Sequence, residues 1–201
     1  SIDSLREKYK MKLSNDSLEF EKYLETINRQ IKDIEKLVNE FSNFARMPRP
    51  VFKKIKIYNT ILRAVDFFKM TSRNKINFSS SNKDLEINGD AEQLYRVFIN
   101  LIKNSEEAIT DIMGKKPNFT GKISIEIVEN KDYIMVKLID NGTGISNTQK
   151  AMTPYFTTKK NGTGLGLPIV NKIINEHSGE LIVKNNDINQ GLTVEITFPK
   201  S

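Results

Sequence analysis

The two prolines in Met47-Pro48-Arg49-Pro50 place the strongest constraint on how this chain can fold. Proline has no backbone N–H, cannot continue a helix, and moves the preceding residue towards extended geometry. A helical pattern that reaches this point therefore has to end here. The sequence predicts a helical segment over 1–47 and a separate folded domain over 51–201.

The helical segment has a regular apolar stripe. Its members recur in alternating steps of four and three, at Phe20, Leu24, Ile27, Ile31, Ile34, Val38, Phe41 and Ala45. This spacing is a heptad seam, typical of coiled coils and helix bundles. A shorter stripe predicts another helix over 1–13, joined by a polar turn in which Asp16 or Ser17 caps the second helix. We predict a helical hairpin that dimerises, with an ordinary amphipathic helix as the alternative.

Strand and helix patterns alternate after the prolines. The predicted strands are Lys54–Tyr58, Lys75–Ser79, Asp84–Asn88, Gly121–Glu129, Asp132–Asp140, Glu180–Lys184 and Gly191–Phe198. The predicted helices are Asn59–Met70, a long helix from its cap at Asp90 to Met113, and Leu165–His177. The fold class is α+β: an α/β sandwich in which helices cover one face of a mixed, mostly antiparallel sheet.

Composition removes several classes of function. The 201 residues include no cysteine, which excludes a disulfide framework and a thiolate metal site. No run approaches the roughly 18 apolar residues of a membrane span, so a cytosolic protein, or the cytosolic piece of a larger one, is expected. The net charge is +6, but the lysines and arginines are interspersed with acidic residues. This pattern favours a nucleotide pocket or a solvated basic surface over nucleic-acid binding.

Three glycines fall within five residues at Gly162, Gly164 and Gly166, and an apolar helical pattern follows at once. Glycine lets backbone N–H groups approach a bulky anion, and a helix N-terminus adds free donors. The loop is therefore a candidate phosphate site, with a flexible connection as the alternative. Its spacing and the polar run before it differ from the dinucleotide-binding fingerprint, so a Rossmann fold is rejected.

The core face of the long helix is predicted to consist of Leu94, Val97, Leu101, Ser105 and Ala108. Polar residues follow a second face, at Arg96, Asn100, Lys103, Asn104, Glu107 and Asp111. Asparagine is a poor helix former, and its carboxamide oxygen suits a Mg²⁺ ion that also holds phosphates. A solvated helix face is the alternative interpretation of this stripe.

Two loops carry further candidates. Asp140 ends a strand and could accept a hydrogen bond from an exocyclic amine, while Gly142 and Gly144 would let a flat ring approach the backbone. The stretch Pro154–Lys159 offers two hydroxyls and a cation that could meet phosphates. A tight turn and a surface loop are the respective alternatives.

These four blocks, in this order, resemble the N, G1, F and G2 boxes of sensor histidine kinases, whose Bergerat fold is shared with gyrase, Hsp90 and MutL. The resemblance covers 51–201. The segment Glu40–Pro50 also resembles the end of the dimerisation helices of NtrY-type nitrogen-regulation sensor kinases. Together, the two resemblances imply ATP and Mg²⁺ as cofactors, a homodimer formed through the N-terminal helices, and an NtrX-like response regulator as partner.

The resemblance also implies residue roles. Asn104 matches the Mg²⁺ ligand, Asp140 matches the carboxylate that reads the adenine amine, and Gly142 and Gly144 shape that pocket. The other expected ATP-binding residues are Asn100, Lys103, Glu107, Ile145, Thr157, Thr158, Lys159, Gly162, Thr163, Gly164, Leu165, Gly166 and Thr193.

One position separates the subclasses of this fold. Gyrase, Hsp90 and MutL carry a glutamate base four residues before the Mg²⁺ asparagine, whereas this chain has Asn100, which cannot take a proton at neutral pH. Phosphoryl transfer to a protein nucleophile is therefore favoured over hydrolysis. A Bergerat ATPase of another class and a non-catalytic dimerisation module remain alternatives.

Two departures from the family concern the nucleophile and the lid. The only histidine, His177, matches a structural His-Gly corner, so we expect the chain to start just after its phosphoacceptor and to be unable to autophosphorylate. The segment Ile145–Thr153 is a residue or two shorter than in the family, and Thr153 stands where glutamate is common. The parent protein is expected in the inner membrane, with this part facing the cytoplasm.

Overall fold

The structure, a computed structural model, describes residues 4, 17–114, 116, 118–157, 159, 162–186 and 191–200. They form two compact units, of which one contains the helix before Pro48 together with the short segment 159–163, and the other contains the remainder. The helix predicted over 1–13 and the polar turn after it lie outside the described residues, apart from Ser4 and Ser17.

The first unit is built on helix α1, Ser17–Ala45. The predicted apolar stripe is present, and most of its side chains are exposed to solvent. Ile27, Ile31, Ile34 and Val38 are exposed, while Leu24 is buried. Helix α1 therefore carries an apolar face that the described residues leave exposed over most of its length.

The second unit has the alternating elements that the sequence predicts. In chain order they are β1 Lys53–Lys56, α2 Ile57–Lys69, β2 Lys75–Ser80, β3 Glu86–Gly89, α3 Ala91–Met113, β4 Lys122–Glu129, β5 Tyr133–Asp140, a 3₁₀ turn Lys150–Met152, α4 Gly166–Glu176, β6 Glu180–Asn185 and β7 Leu192–Pro199. The first strand, predicted over Lys54–Tyr58, ends earlier, at Lys56. Helix α2 begins at Ile57, whose N–H donates to Leu85 O and whose side chain is fully buried.

Five strands form one sheet in the order β2-β4-β5-β7-β6, and β1 pairs with β3 separately. Only β2 and β4 run parallel in this sheet; the other neighbours are antiparallel. Along β4, the buried Ile123, Ile125 and Ile127 alternate with exposed polar residues. One sheet face is thus packed and the other is solvated, and this confirms the predicted mixed, mostly antiparallel α/β sandwich.

Helix α3 lies centrally in this unit and packs against α2, α4, β4 and β5. It begins where predicted, because Asp90 Oδ1 accepts hydrogen bonds from the N–H groups of Glu92 and Gln93. Its buried face consists of Leu94, Val97, Phe98, Leu101, Ile102, Ile109 and Ile112. The apolar packing of one side fixes where the polar side of the helix must lie.

Candidate functional site

The asparagine pair of α3 lies beside the N-terminus of α4. Asn100 and Asn104 are half-buried and one helical turn apart. A β-carbon built on Gly166 would be 3.5 Å from Asn104 Nδ2 and 3.9 Å from Asn100 Oδ1. No side chain caps this end of α4, and the first turn of a helix has N–H groups without intrahelical partners. Two carboxamides and a helix N-terminus therefore face one another.

Asp140 is held in place by hydrogen bonds from a side chain and from the backbone. The residue is 3% exposed, and its Oδ2 accepts a 2.7 Å hydrogen bond from Ser105 Oγ. Oδ1 accepts from Gly142 N at 2.9 Å and from Leu192 N at 3.2 Å. Buried carboxylates require such partners. Ser105, which the apolar pattern of α3 assigns to the core face, is thus buried because it anchors Asp140.

The loop after β5 lies directly on α3. Thr143 N donates to Ala108 O at 3.3 Å, and a β-carbon on Gly142 would be only 2.7 Å from Ala108 Cβ. Only glycine permits this approach. Because Ala108 follows Asn104 by one turn, α3 brings the asparagine pair, Asp140 and Gly142 to one side of the unit.

Thr193 joins this group through a residue that sequence reasoning missed. The threonine is 5% exposed, and its hydroxyl donates to Asn186 Oδ1. Asn186 Nδ2 in turn donates to Asp140 O at 2.9 Å. The neighbouring Asn185 makes two hydrogen bonds to Ile145. The signal in the sequence was two adjacent asparagines at the end of a strand.

The glycine loop pairs with the segment Pro154–Phe156. Tyr155 N donates to Gly164 O at 3.1 Å, and Gly164 has a φ of +69°. A β-carbon there would be 2.6 Å from the carbonyl carbon of Tyr155, so both space and conformation demand glycine. The side chain of Leu165 is fully buried, and only its backbone could meet a ligand.

The structure brings some predicted residues to the site and leaves others as predictions. Lys103 and Thr157 are exposed, and Glu107 is half-buried on α3. Thr158 lies outside the described residues. The remaining predicted lid and loop residues, Lys159, Gly162 and Thr163, belong to the first compact unit, and their role in binding stays a prediction.

His177 has the structural environment that its position predicts. It is 4% exposed, its Nε2 accepts a 2.9 Å hydrogen bond from Asp90 N, and its Nδ1 lies 2.8 Å from Ile173 O. A backbone N–H can only donate, so Nε2 is the acceptor and Nδ1 carries the hydrogen. The ring ties the end of α4 to the cap of α3.

The chain is similar in sequence to known proteins over nearly its whole length. Residues 89–201 match the family described as histidine kinase-, DNA gyrase B-, and HSP90-like ATPases. A putative NtrY-like sensor histidine kinase of Rickettsia felis is 38% identical over 183 residues, 90% of this chain and 29% of that protein. The nitrogen regulation protein NtrY of Azorhizobium caulinodans is 31% identical over 98% of this chain and 26% of its own length. The chain thus spans less than a third of these relatives.

Solved structures agree with the fold. The catalytic domain of histidine kinase ThkA is 29% identical with a TM-score of 0.64, over 75% of this chain and 96% of that domain. A structure of ThkA in complex with response regulator protein TrrA has a TM-score of 0.70 over 100% of this chain and 58% of that chain; at 23% identity it supports the fold alone. Among the helices that the structure describes, none is long and apolar enough to cross a bilayer.

Proposed function

The chain belongs to the histidine kinase-, DNA gyrase B-, and HSP90-like ATPases, and we propose that its parent protein transfers the γ-phosphoryl group of ATP to a histidine outside this chain. From that histidine the group passes to an aspartate of a response regulator. The ATP-binding domain is of the sensor histidine kinase type, as its sequence relatives and the ThkA catalytic domain indicate.

One observation carries the proposal: the consecutive residues Asn104 and Ser105 of α3 lie against the two regions proposed for the two ends of a nucleotide. Asn104 faces the N-terminus of α4, where phosphates would lie. Ser105 holds Asp140, the proposed adenine-reading carboxylate. A rigid helix thereby fixes the distance between the base site and the phosphate site. Gly164, Gly166 and Thr157 would lie along the phosphates, and Thr193 near the adenine.

The proposed metal ligand is Asn104. Mg²⁺ prefers oxygen donors and commonly takes one or two protein ligands beside the substrate phosphates. The half-buried Asn104 carboxamide, next to a helix N-terminus without a side-chain cap, fits such a donor set. When bound, Mg²⁺ would neutralise charge on the transferred phosphoryl group.

Asn100 supports transfer over hydrolysis. Its Nδ2 donates to Arg96 O at 3.0 Å, so its side chain is engaged with its own helix. A carboxamide cannot take a proton from water at neutral pH. Asn100 would help to orient ATP, and it leaves this position without a general base for hydrolysis.

We further propose that α1 pairs with a second copy of the chain, because its apolar stripe is exposed. The response-regulator partner is supported by the complex in which ThkA is bound to TrrA. We also propose an NtrX-like regulator, and a parent protein in the inner membrane with this part in the cytoplasm. The similarity to NtrY supports both proposals.

Titration calorimetry with Mg²⁺-ATP tests the site. Asp140→Asn and Asn104→Ala should each abolish measurable binding, while Asn88→Ala, at an exposed position of β3, should leave affinity unchanged. Unchanged affinity in both site variants would contradict the assignment. Steady ATP turnover by this chain alone would favour an ATPase of another class.

A further inference from the structure

Two adjacent side chains at the end of β6 hold both ends of the loop that follows β5. Asn186 Nδ2 donates to Asp140 O at 2.9 Å, at the start of this loop. Asn185 Oδ1 accepts from Ile145 N at 2.8 Å, and Asn185 Nδ2 donates to Ile145 O at 2.7 Å, at its end. The two carboxamides thus fix the carbonyl of one loop end and both backbone groups of the other.

We propose that Asn185 and Asn186 are positioning residues for nucleotide binding, which set the path of the loop 141–145 over the adenine site. The inference rests on the proposed nucleotide site, since Asp140 directly precedes this loop and Gly142 and Gly144 lie within it.

Asn186 contacts two residues that are proposed to lie near the adenine, Asp140 and Thr193. Its Oδ1 accepts from the Thr193 hydroxyl while its Nδ2 binds Asp140 O. Its backbone N–H donates to Gly191 O at 3.1 Å. A shift of this side chain would therefore move the carbonyl of Asp140 and the hydroxyl of Thr193 together.

The contacts of Asn185 act on the other end of the loop. Gly144 has a φ of +70°, and a β-carbon on it would lie 2.7 Å from Asn185 Oδ1. The carboxamide therefore occupies the space beside Gly144 and forms two hydrogen bonds with the backbone of Ile145. Ile145 is also where the lid segment begins. Fixing it sets the direction in which that segment leaves the adenine site.

A carboxamide and a neutral carboxylic acid have the same shape, which gives a specific test. In Asn185→Asp the introduced carboxylate cannot donate to Ile145 O, whereas its protonated form can. A facing carbonyl oxygen favours the protonated form. At pH 8, Mg²⁺-ATP affinity should fall about tenfold, roughly the loss of one hydrogen bond and an added repulsion. The ratio to the parent chain should recover only as the pH falls towards about 4, where an aspartate becomes protonated.

Asn186→Asp repeats the test from the other end, because its carboxylate would face Asp140 O. The matched control is Asn77→Asp, which adds the same charge at an exposed position of β2, the opposite edge of the sheet. Its affinity should equal that of the parent chain at every pH. Melting temperature, recorded at each pH, identifies any variant that has not folded, and the other asparagine variant then decides.

The outcomes separate this inference from the proposed function. If the parent chain binds Mg²⁺-ATP and both asparagine variants bind it with the same affinity as the parent chain at pH 8, the inference alone is overturned. A loss of affinity that does not recover even near pH 4 would also overturn it, because it would show a general structural defect. A parent chain that does not bind Mg²⁺-ATP would overturn the proposed function and this inference with it.

Discussion

Helices α1 and α3 have the same kind of apolar periodicity but opposite surroundings. In α3 the stripe is buried: Leu94, Val97 and Phe98 are fully inaccessible to solvent. In α1 the corresponding stripe is exposed, with Ile34 60% and Val38 54% accessible. Periodicity therefore indicates which face of a helix needs a partner, and the fold decides whether the same chain supplies it. This exposed apolar face is the reason for proposing a second copy of the chain as the partner of α1.

The largest expected effect tests this difference with one substitution made in both helices. Ile102→Ala should lower the free energy of unfolding of the α/β unit by about 2–5 kcal/mol, because Ile102 is fully buried and a cavity remains. Ile34→Ala should change it by less than about 0.5 kcal/mol, as exposed substitutions usually do. Urea unfolding followed by circular dichroism measures both, and equal losses would contradict the proposed difference between the two helices.

A smaller effect is expected on self-association. Ile34→Gln removes an apolar contact from each copy of a dimer, and burying an isoleucine is worth about 1.5–3 kcal/mol. The dissociation constant should therefore rise at least about tenfold, measured by sedimentation equilibrium. Glu25→Gln, at an exposed position outside the stripe, is the control and should leave association unchanged. A parent chain that stays monomeric at high concentration would show that α1 alone cannot form the interface.

Much of the α/β unit could be predicted from sequence because its signals are local. Strand alternation in β4 and the cap at Asp90 involve residues close in the chain. The glycine and asparagine blocks were recognised in the same way, by spacing over a few residues.

Long-range hydrogen bonds explain what could not be predicted. Ser105 looked like an ordinary core position, although its partner Asp140 lies 35 residues away. Asn185 and Asn186 drew no attention, because Ile145 and Asp140 lie 40 and 46 residues before them. Only the pairing of β5, β6 and β7 brings these groups together.

The smallest expected effect concerns how α3 is fixed at its start. Burial works to raise the pKa of the Asp90 carboxyl, but hydrogen bonds from the backbone N–H groups of Val51, Gln93 and Glu92, with the nearby His177, lower it below its ordinary value. A lowered folded-state pKa means that this carboxylate contributes stability above the unfolded-state pKa. The contribution is lost as the pH falls through the folded-state value.

Asp90→Ala should therefore cost about 1 kcal/mol at pH 7, the usual value of an N-cap. The difference from the parent chain should shrink below about pH 4, where aspartate protonates in the unfolded chain. Asp90→Asn keeps a capping oxygen but removes the charge, so its stability difference should depend less on pH than that of the alanine variant. Asp66→Ala, on the exposed face of α2, is the control. Urea unfolding at pH 7 and pH 3 measures all three, and an Asp90→Ala cost that grows in acid would show that the carboxylate does not stabilise the start of α3.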